Sequence, residues 1–81
     1  MAVTSAQLRM ARAALNWTVR DLAEATGLHR NTIHNIEIGR FAGDQQTLAT
    51  IEKVLNKAGI EFIEENGGGP GVRLRKRTAR K

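Results

Sequence analysis

The sequence predicts a mainly α fold: four short helices, then a two-stranded β ribbon, then a basic tail. Three observations predict it. Apolar residues recur at spacings of three and four as far as Ala58, the period of a helix that buries one face. After Gly59 the period becomes two, with Ile60 and Phe62 flanking Glu61, and Val72 and Leu74 interleaved with Arg73 and Arg75, as in strands. The final residues are basic and nearly devoid of apolar side chains, which predicts a segment disordered when free. The expected boundaries are 4–58 for the helical domain, 59–75 for the ribbon and 76–81 for the tail.

Each helix carries its own start and stop signals. Thr4 or Ser5 can cap the first, Leu8, Ala11 and Leu15 mark its buried face, and Asn16 can adopt the left-handed conformation that ends it. Thr18 caps the second, with Asp21 completing a weak capping box and Trp17 placed to staple onto Leu22. Gly27 then supplies the positive φ of a sharp turn. The third helix follows, with Leu28 packing at its start, Ile33 and Ile36 facing inward and Gly39 ending it. Asp44 caps the fourth, whose stripe is Leu48, Ile51, Val54, Leu55 and Ala58, and Gly59 stops it. Asn-Gly-Gly-Gly-Pro-Gly at 66–71 cannot hold a helix and reads as the turn between the strands.

Size and charge narrow the function. The chain has 81 residues and no cysteine, so one modest core forms without disulfides or a thiolate metal site. Residues 1–72 carry seven bases and all eight acids, whereas residues 73–81 carry six bases and no acid. The body is near neutral and the tail holds the excess of the +5 net charge, which suits a polyanionic partner. No apolar run approaches membrane-spanning length, and the N-terminus lacks the apolar stretch of a signal peptide. The expectation is a soluble cytoplasmic protein with no membrane partner.

Catalysis is not expected. There is no Cys, no Tyr and no Ser–His–acid set at recognisable spacing. No cofactor or metal is implied: His29 and His34 lie five apart, about 140° round a helix, and do not make the (i, i+4) zinc pair. The glycine run lacks a following Gly-Lys-Ser/Thr and precedes a strand, so it is no phosphate loop.

The third helix carries the chemistry. Its outward face holds Arg30, Asn31, His34 and Asn35, all long or polar enough to meet the edges of DNA bases. The major groove admits one helix and shows a distinct donor and acceptor pattern for each base pair. Arg30 can donate twice to guanine, Asn31 and Asn35 can pair with adenine, and His34 can donate or accept. Arg30, Asn31 and His34 cluster within one turn, while Ile33 and Ile36 fall on the other side.

A cap, an eight-residue helix, a glycine turn and a second helix ending in Glu37-Ile38-Gly39 resemble the helix-turn-helix of Cro-type phage repressors, the XRE family. The matching positions are Thr18, Leu22, Ala23, Gly27, Leu28, Thr32, Ile33, Ile36, Glu37 and Gly39, and the likeness covers about residues 5–58. It implies a sequence-specific binder of double-stranded DNA that regulates transcription, typically as a repressor. It also implies that Arg12 and Glu37 pair with each other, tying the first helix to the end of the third. Two positions depart from the family. His29 stands where Ser or Thr usually caps, and Val19 where glutamine often anchors a phosphate or base edge. Phosphate contacts are expected from Thr18, Val19, Arg20, His29, Thr32, Arg40 and Gln45, which flank the groove or lie at helix N-termini, where free N–H groups favour anions. Arg20 has the reach to compensate for the valine.

The ribbon and tail bear on assembly. The apolar ribbon face of Ile60, Phe62, Val72 and Leu74 needs cover. It can fold back onto the fourth helix or pair with the ribbon of a second subunit. The favoured expectation is the homodimer, reading a palindromic operator with recognition helices about 34 Å apart. The basic tail reads either as an arm reaching further phosphates, the favoured choice, or as a solubilising end. Two other functions use the same features: an antitoxin-like protein that covers a partner protein and binds its own operator, and an architectural accessory factor in excision.

Overall fold

The computed structural model describes residues 3–75. The elements run α1 (Ser5–Leu15), α2 (Val19–Thr26), α3 (Arg30–Glu37), α4 (Gln45–Lys57), β1 (Ile60–Ile63) and β2 (Gly71–Leu74). This is the mainly α fold, four helices and a C-terminal two-stranded ribbon, that the periodicities predict. The tail assigned to residues 76–81 lies outside the described residues.

The cap chemistry explains the boundaries. Thr4 accepts the N–H of Gln7 while Gln7 accepts the N–H of Thr4, a reciprocal capping box. Asn16 ends α1 in the left-handed conformation, φ 60°. Thr18 and Asp21 form a second reciprocal box, at 3.0 and 2.9 Å, stronger than the weak form expected. Gly27, φ 76°, closes α2. The Thr26 hydroxyl donates to the Leu22 carbonyl and accepts the Leu28 N–H, which holds the turn into α3. Gly43 is needed for closeness as well as for its φ of 83°: a Cβ there would stand 3.2 Å from Leu48 and 3.3 Å from Ile36. The loop after α3 therefore runs tight against the core where α4 begins.

One core joins every helix and the first strand. Leu8 and Ala11 of α1, Leu22 and Ala23 of α2, Ile33 and Ile36 of α3, Ile51 and Leu55 of α4, and Ile60 are buried, with Val3 covering one end. Trp17 packs against this cluster from the partly buried rim.

The ribbon takes the first of the two covers open to it. Its strands pair antiparallel, with Ile60 opposite Leu74 and Phe62 opposite Val72, so the four apolar side chains share a face. That face folds back onto the chain's own helices: β2 packs along α1 and β1 along α4. Ile60 is fully buried, and Phe62 and Val72 pack against the core, leaving Leu74 half exposed. Ile60 is therefore part of this chain's core. The physical reason is a fastening that periodicity does not reveal. Gln7, itself fully buried, donates from Nε2 to the carbonyls of Ile63 and Gly71 at 3.0 and 2.9 Å. It clasps the turn end of the ribbon to α1. Glu61 and Arg73 pair on the opposite face.

Candidate nucleic-acid interface

Helix α3 is built as two unlike faces. Ile33, Ile36 and Glu37 are buried. Arg30, Asn31 and His34 are exposed, and Asn35 is half-buried at the edge of their arc. Among the described residues none of these four side chains hydrogen-bonds to the rest of the protein. At 100° per residue they span about 140° of the helix circumference, opposite the isoleucines. Their donors and acceptors are free for an external partner.

The start of α3 is capped by His29. Its Nδ1 accepts the Asn31 N–H at 3.0 Å, so the ring proton sits on Nε2. The imidazole thus substitutes for the usual hydroxyl cap and presents an N–H donor outward. A shallow cleft of about 430 Å³ opens beside it, lined by Arg20, Ala23, Glu24, Leu28, His29 and Arg30. This cleft brings together Arg20 of α2 and Arg30 of α3.

The far end of α3 is fastened by α1. Arg12 binds Glu37 in bidentate fashion, Nε to Oε2 at 2.7 Å and Nη2 to Oε1 at 2.9 Å, and gives Nη1 to the Trp17 carbonyl. The hydrogen bond to Glu37 holds the Arg12 guanidinium above its usual pKa. Glu37 is 4% exposed, so its carboxylate faces its partner and not phosphates. Ser5 donates to the Ile36 carbonyl at 2.7 Å, and Arg9 donates to the Glu37 carbonyl. The Ile36 carbonyl also accepts the Gly39 N–H at 3.1 Å, and the two cationic side chains, Arg9 and Arg12, complement the negative end of the helix dipole. Sequence reasoning missed Ser5, Arg9 and Gln7. Only Gln7 had a readable signal, since Thr4-Ser5-Ala6-Gln7 fits the capping-box pattern.

The flanking positions divide. Thr18, Arg20, Arg40 and Gln45 are exposed and Thr32 is half-buried. Arg40 is held near the end of α3 by its N–H bond to the Asn35 carbonyl at 2.9 Å. The Val19 side chain packs against the core, so only its backbone N–H, at the first position of α2, remains to face an anion. Thr18 uses its N–H and a hydroxyl lone pair on Asp21 and keeps its hydroxyl proton to give. Asp44 caps α4 by accepting the Thr47 N–H at 2.7 Å; hydrogen bonding from Thr47, its side chain first and its backbone N–H second, holds the Asp44 carboxyl below its usual pKa. No helix among the described residues is long and apolar enough to cross a membrane.

Two helices joined by a glycine turn, the second with a bonded inner face and an unbonded polar outer face, define a DNA-reading module. The sequence matches the helix-turn-helix family over residues 8–62, from the first buried leucine of α1 to the middle of β1. The chain belongs to this family, in its Cro-type branch, whose members are DNA-binding transcription regulators. The sequence has no match among the curated proteins.

Proposed function

We propose that the protein is a homodimeric repressor that reads a palindromic operator in the major groove. The observation that carries this reading is the arc of Arg30, Asn31, His34 and Asn35, whose side chains form no hydrogen bond among the described residues and lie opposite a buried face. In this reading those four side chains contact bases. Thr18, Arg20, His29, Thr32, Arg40 and Gln45 contact phosphates, and Val19 contributes through its backbone N–H. Arg12 and Glu37 hold α3 at its docking angle.

The division of labour assigns DNA reading to residues 4–58 and pairing to residues 59–75. A two-stranded ribbon has unpaired edges, which invite a further strand. Leu74 and Ile63 stay 52% and 39% exposed beside those edges. A second copy adding its ribbon across a two-fold axis buries Leu74 and the rims of Phe62 and Val72. The site of action is the cytoplasm, on the nucleoid.

Selecting bound sequences from a random DNA pool tests the proposal. The expected product is a palindrome whose half-sites are centred about 10 base pairs apart, with a dimer in analytical ultracentrifugation. Recovery of an unpaired half-site by a monomer removes the dimer, and recovery of no consensus removes base reading.

A further inference from the structure

The turn of the ribbon carries a reactive pair that neither the fold nor the proposed function uses. Between β1 and β2 the chain reads Glu64-Glu65-Asn66-Gly67-Gly68-Gly69-Pro70, and Asn66 through Gly69 are exposed. An asparagine can be attacked at its side-chain amide carbon by the backbone nitrogen of the residue that follows. The attack needs a nitrogen whose N–H is not held in a hydrogen bond, a mobile side chain, and room for the ring that forms.

The fold grants all of these at Asn66 and withholds them elsewhere. The Gly67 N–H has no acceptor among the described residues, and the Asn66 side chain enters no hydrogen bond there either. Gly67 has no Cβ to crowd the ring, and nothing lies within 4 Å of where one would stand. The other asparagines precede bonded nitrogens. After Asn16 the Trp17 N–H donates to the Arg12 carbonyl at 2.9 Å, and after Asn31 the Thr32 N–H donates to the His29 carbonyl at 3.0 Å. Asn35 and Asn56 lie inside α3 and α4, where the helix ladder takes the next N–H.

We propose that Asn66–Gly67 is a site of spontaneous covalent modification, at which the protein exchanges an amide for a carboxylate without an enzyme. The Gly67 nitrogen bonds to Cγ of Asn66. The side-chain amino group leaves as ammonia, taking the proton that Gly67 loses, and a succinimide remains. Water then opens the ring at either carbonyl and restores the backbone N–H, giving aspartate or isoaspartate at position 66. No electrons change hands. The product carries a third successive carboxylate beside Glu64 and Glu65, and the net charge of the chain falls one unit below its +5. The fold tolerates the change because Gln7 clasps the carbonyls of Ile63 and Gly71 on either side of the turn, so the strands are held together without its help.

The test is to incubate the full chain in warm, mildly alkaline heavy-oxygen water and follow the tryptic peptide from Ala58 to Arg73 by mass spectrometry. Conversion at Asn66 is expected to be at least about tenfold faster than at Asn16, Asn31, Asn35 or Asn56, a barrier lower by about 1.4 kcal/mol. Two products with one heavy oxygen each, one of them isoaspartate, are expected. Gly67→Ala should slow the conversion and Asn66→Gln should abolish it, while the modified chain, separated by ion exchange, keeps the Tm of the unmodified one. Conversion at Asn66 no faster than at the other four overturns the proposal. Aspartate alone, formed at an undiminished rate in Gly67→Ala, means direct hydrolysis and overturns the ring route. A lower Tm of the modified chain overturns the claim that the Gln7 clasp makes the turn dispensable.

Discussion

The two ends of α3 are built on opposite plans. At its C-terminal end Ser5, Arg9 and Arg12 reach across from α1 and bind the Ile36 and Glu37 carbonyls and the Glu37 carboxylate. At its N-terminal end a single imidazole lone pair caps one N–H, and Arg30 and Asn31 stand free. The fastened end fixes the angle of the helix. The open end keeps its hydrogen-bonding capacity unspent, which is what reading an external partner requires. A bond made within the chain is a bond lost to a target, so in the proposed reading recognition falls to positions the fold leaves alone.

Breaking the fastened end should have the largest effect. Arg12→Ala leaves a carboxylate buried without its partner, and removing one member of a buried pair costs about 3–5 kcal/mol. Calorimetry should show Tm lower by more than roughly 10 °C for a domain of this size. Glu37→Ala should cost less, because the Arg12 side chain is 23% exposed and can take up water once released. A reversed order of the two variants contradicts the assignment of Glu37 as the more deeply desolvated partner.

The open end should respond in binding and not in stability. Arg30→Ala is expected to leave Tm unchanged, to weaken operator binding by about 1–3 kcal/mol and to relax preference at one base position. A uniform loss on all sequences instead makes Arg30 a phosphate contact. Next in size, Thr18→Ala removes the cap of α2 and should cost about 1 kcal/mol of stability in urea titrations. His29→Ser sharpens the contrast further. A hydroxyl cap should raise stability by a few tenths of a kcal/mol, while loss of the outward Nε2–H should weaken DNA binding. A gain in both refutes any contact by the imidazole.

The smallest effect concerns α4. The folded Asp44 carboxyl sits below its usual pKa because of hydrogen bonding from Thr47, its side chain first and its backbone N–H second. A depressed folded value means that the cap stabilises the protein above the unfolded value, about 3.9. That stabilisation is lost as pH falls through the lower folded value. Thermal melts at descending pH should show this part of the acid destabilisation vanish in Asp44→Asn.

Much of this architecture was legible in order. Caps, glycines and the switch from helical to alternating period located the elements, because each depends on a few adjacent residues. The polar arc on α3 was legible too, since Ile33 and Ile36 fix which side faces in and 100° per residue fixes the rest. Arg12 and Glu37 became a pair through family likeness, not spacing. The ribbon's docking is not legible in sequence, because Ile60, Phe62, Val72 and Leu74 declare only an apolar face and not what covers it. Val19 is expected as a phosphate contact at the start of α2, and its side chain packs against the core.

The sequence alone thus determined what is local: which segments are helical, where they begin and end, and which side of each is apolar. Tertiary structure decided which apolar faces meet and which polar groups are consumed in the meeting. Gln7, Ser5 and Arg9 show why. Their partners lie 56 and 64, 31 and 28 residues away, and a hydrogen bond over such separations leaves no periodic trace in the chain.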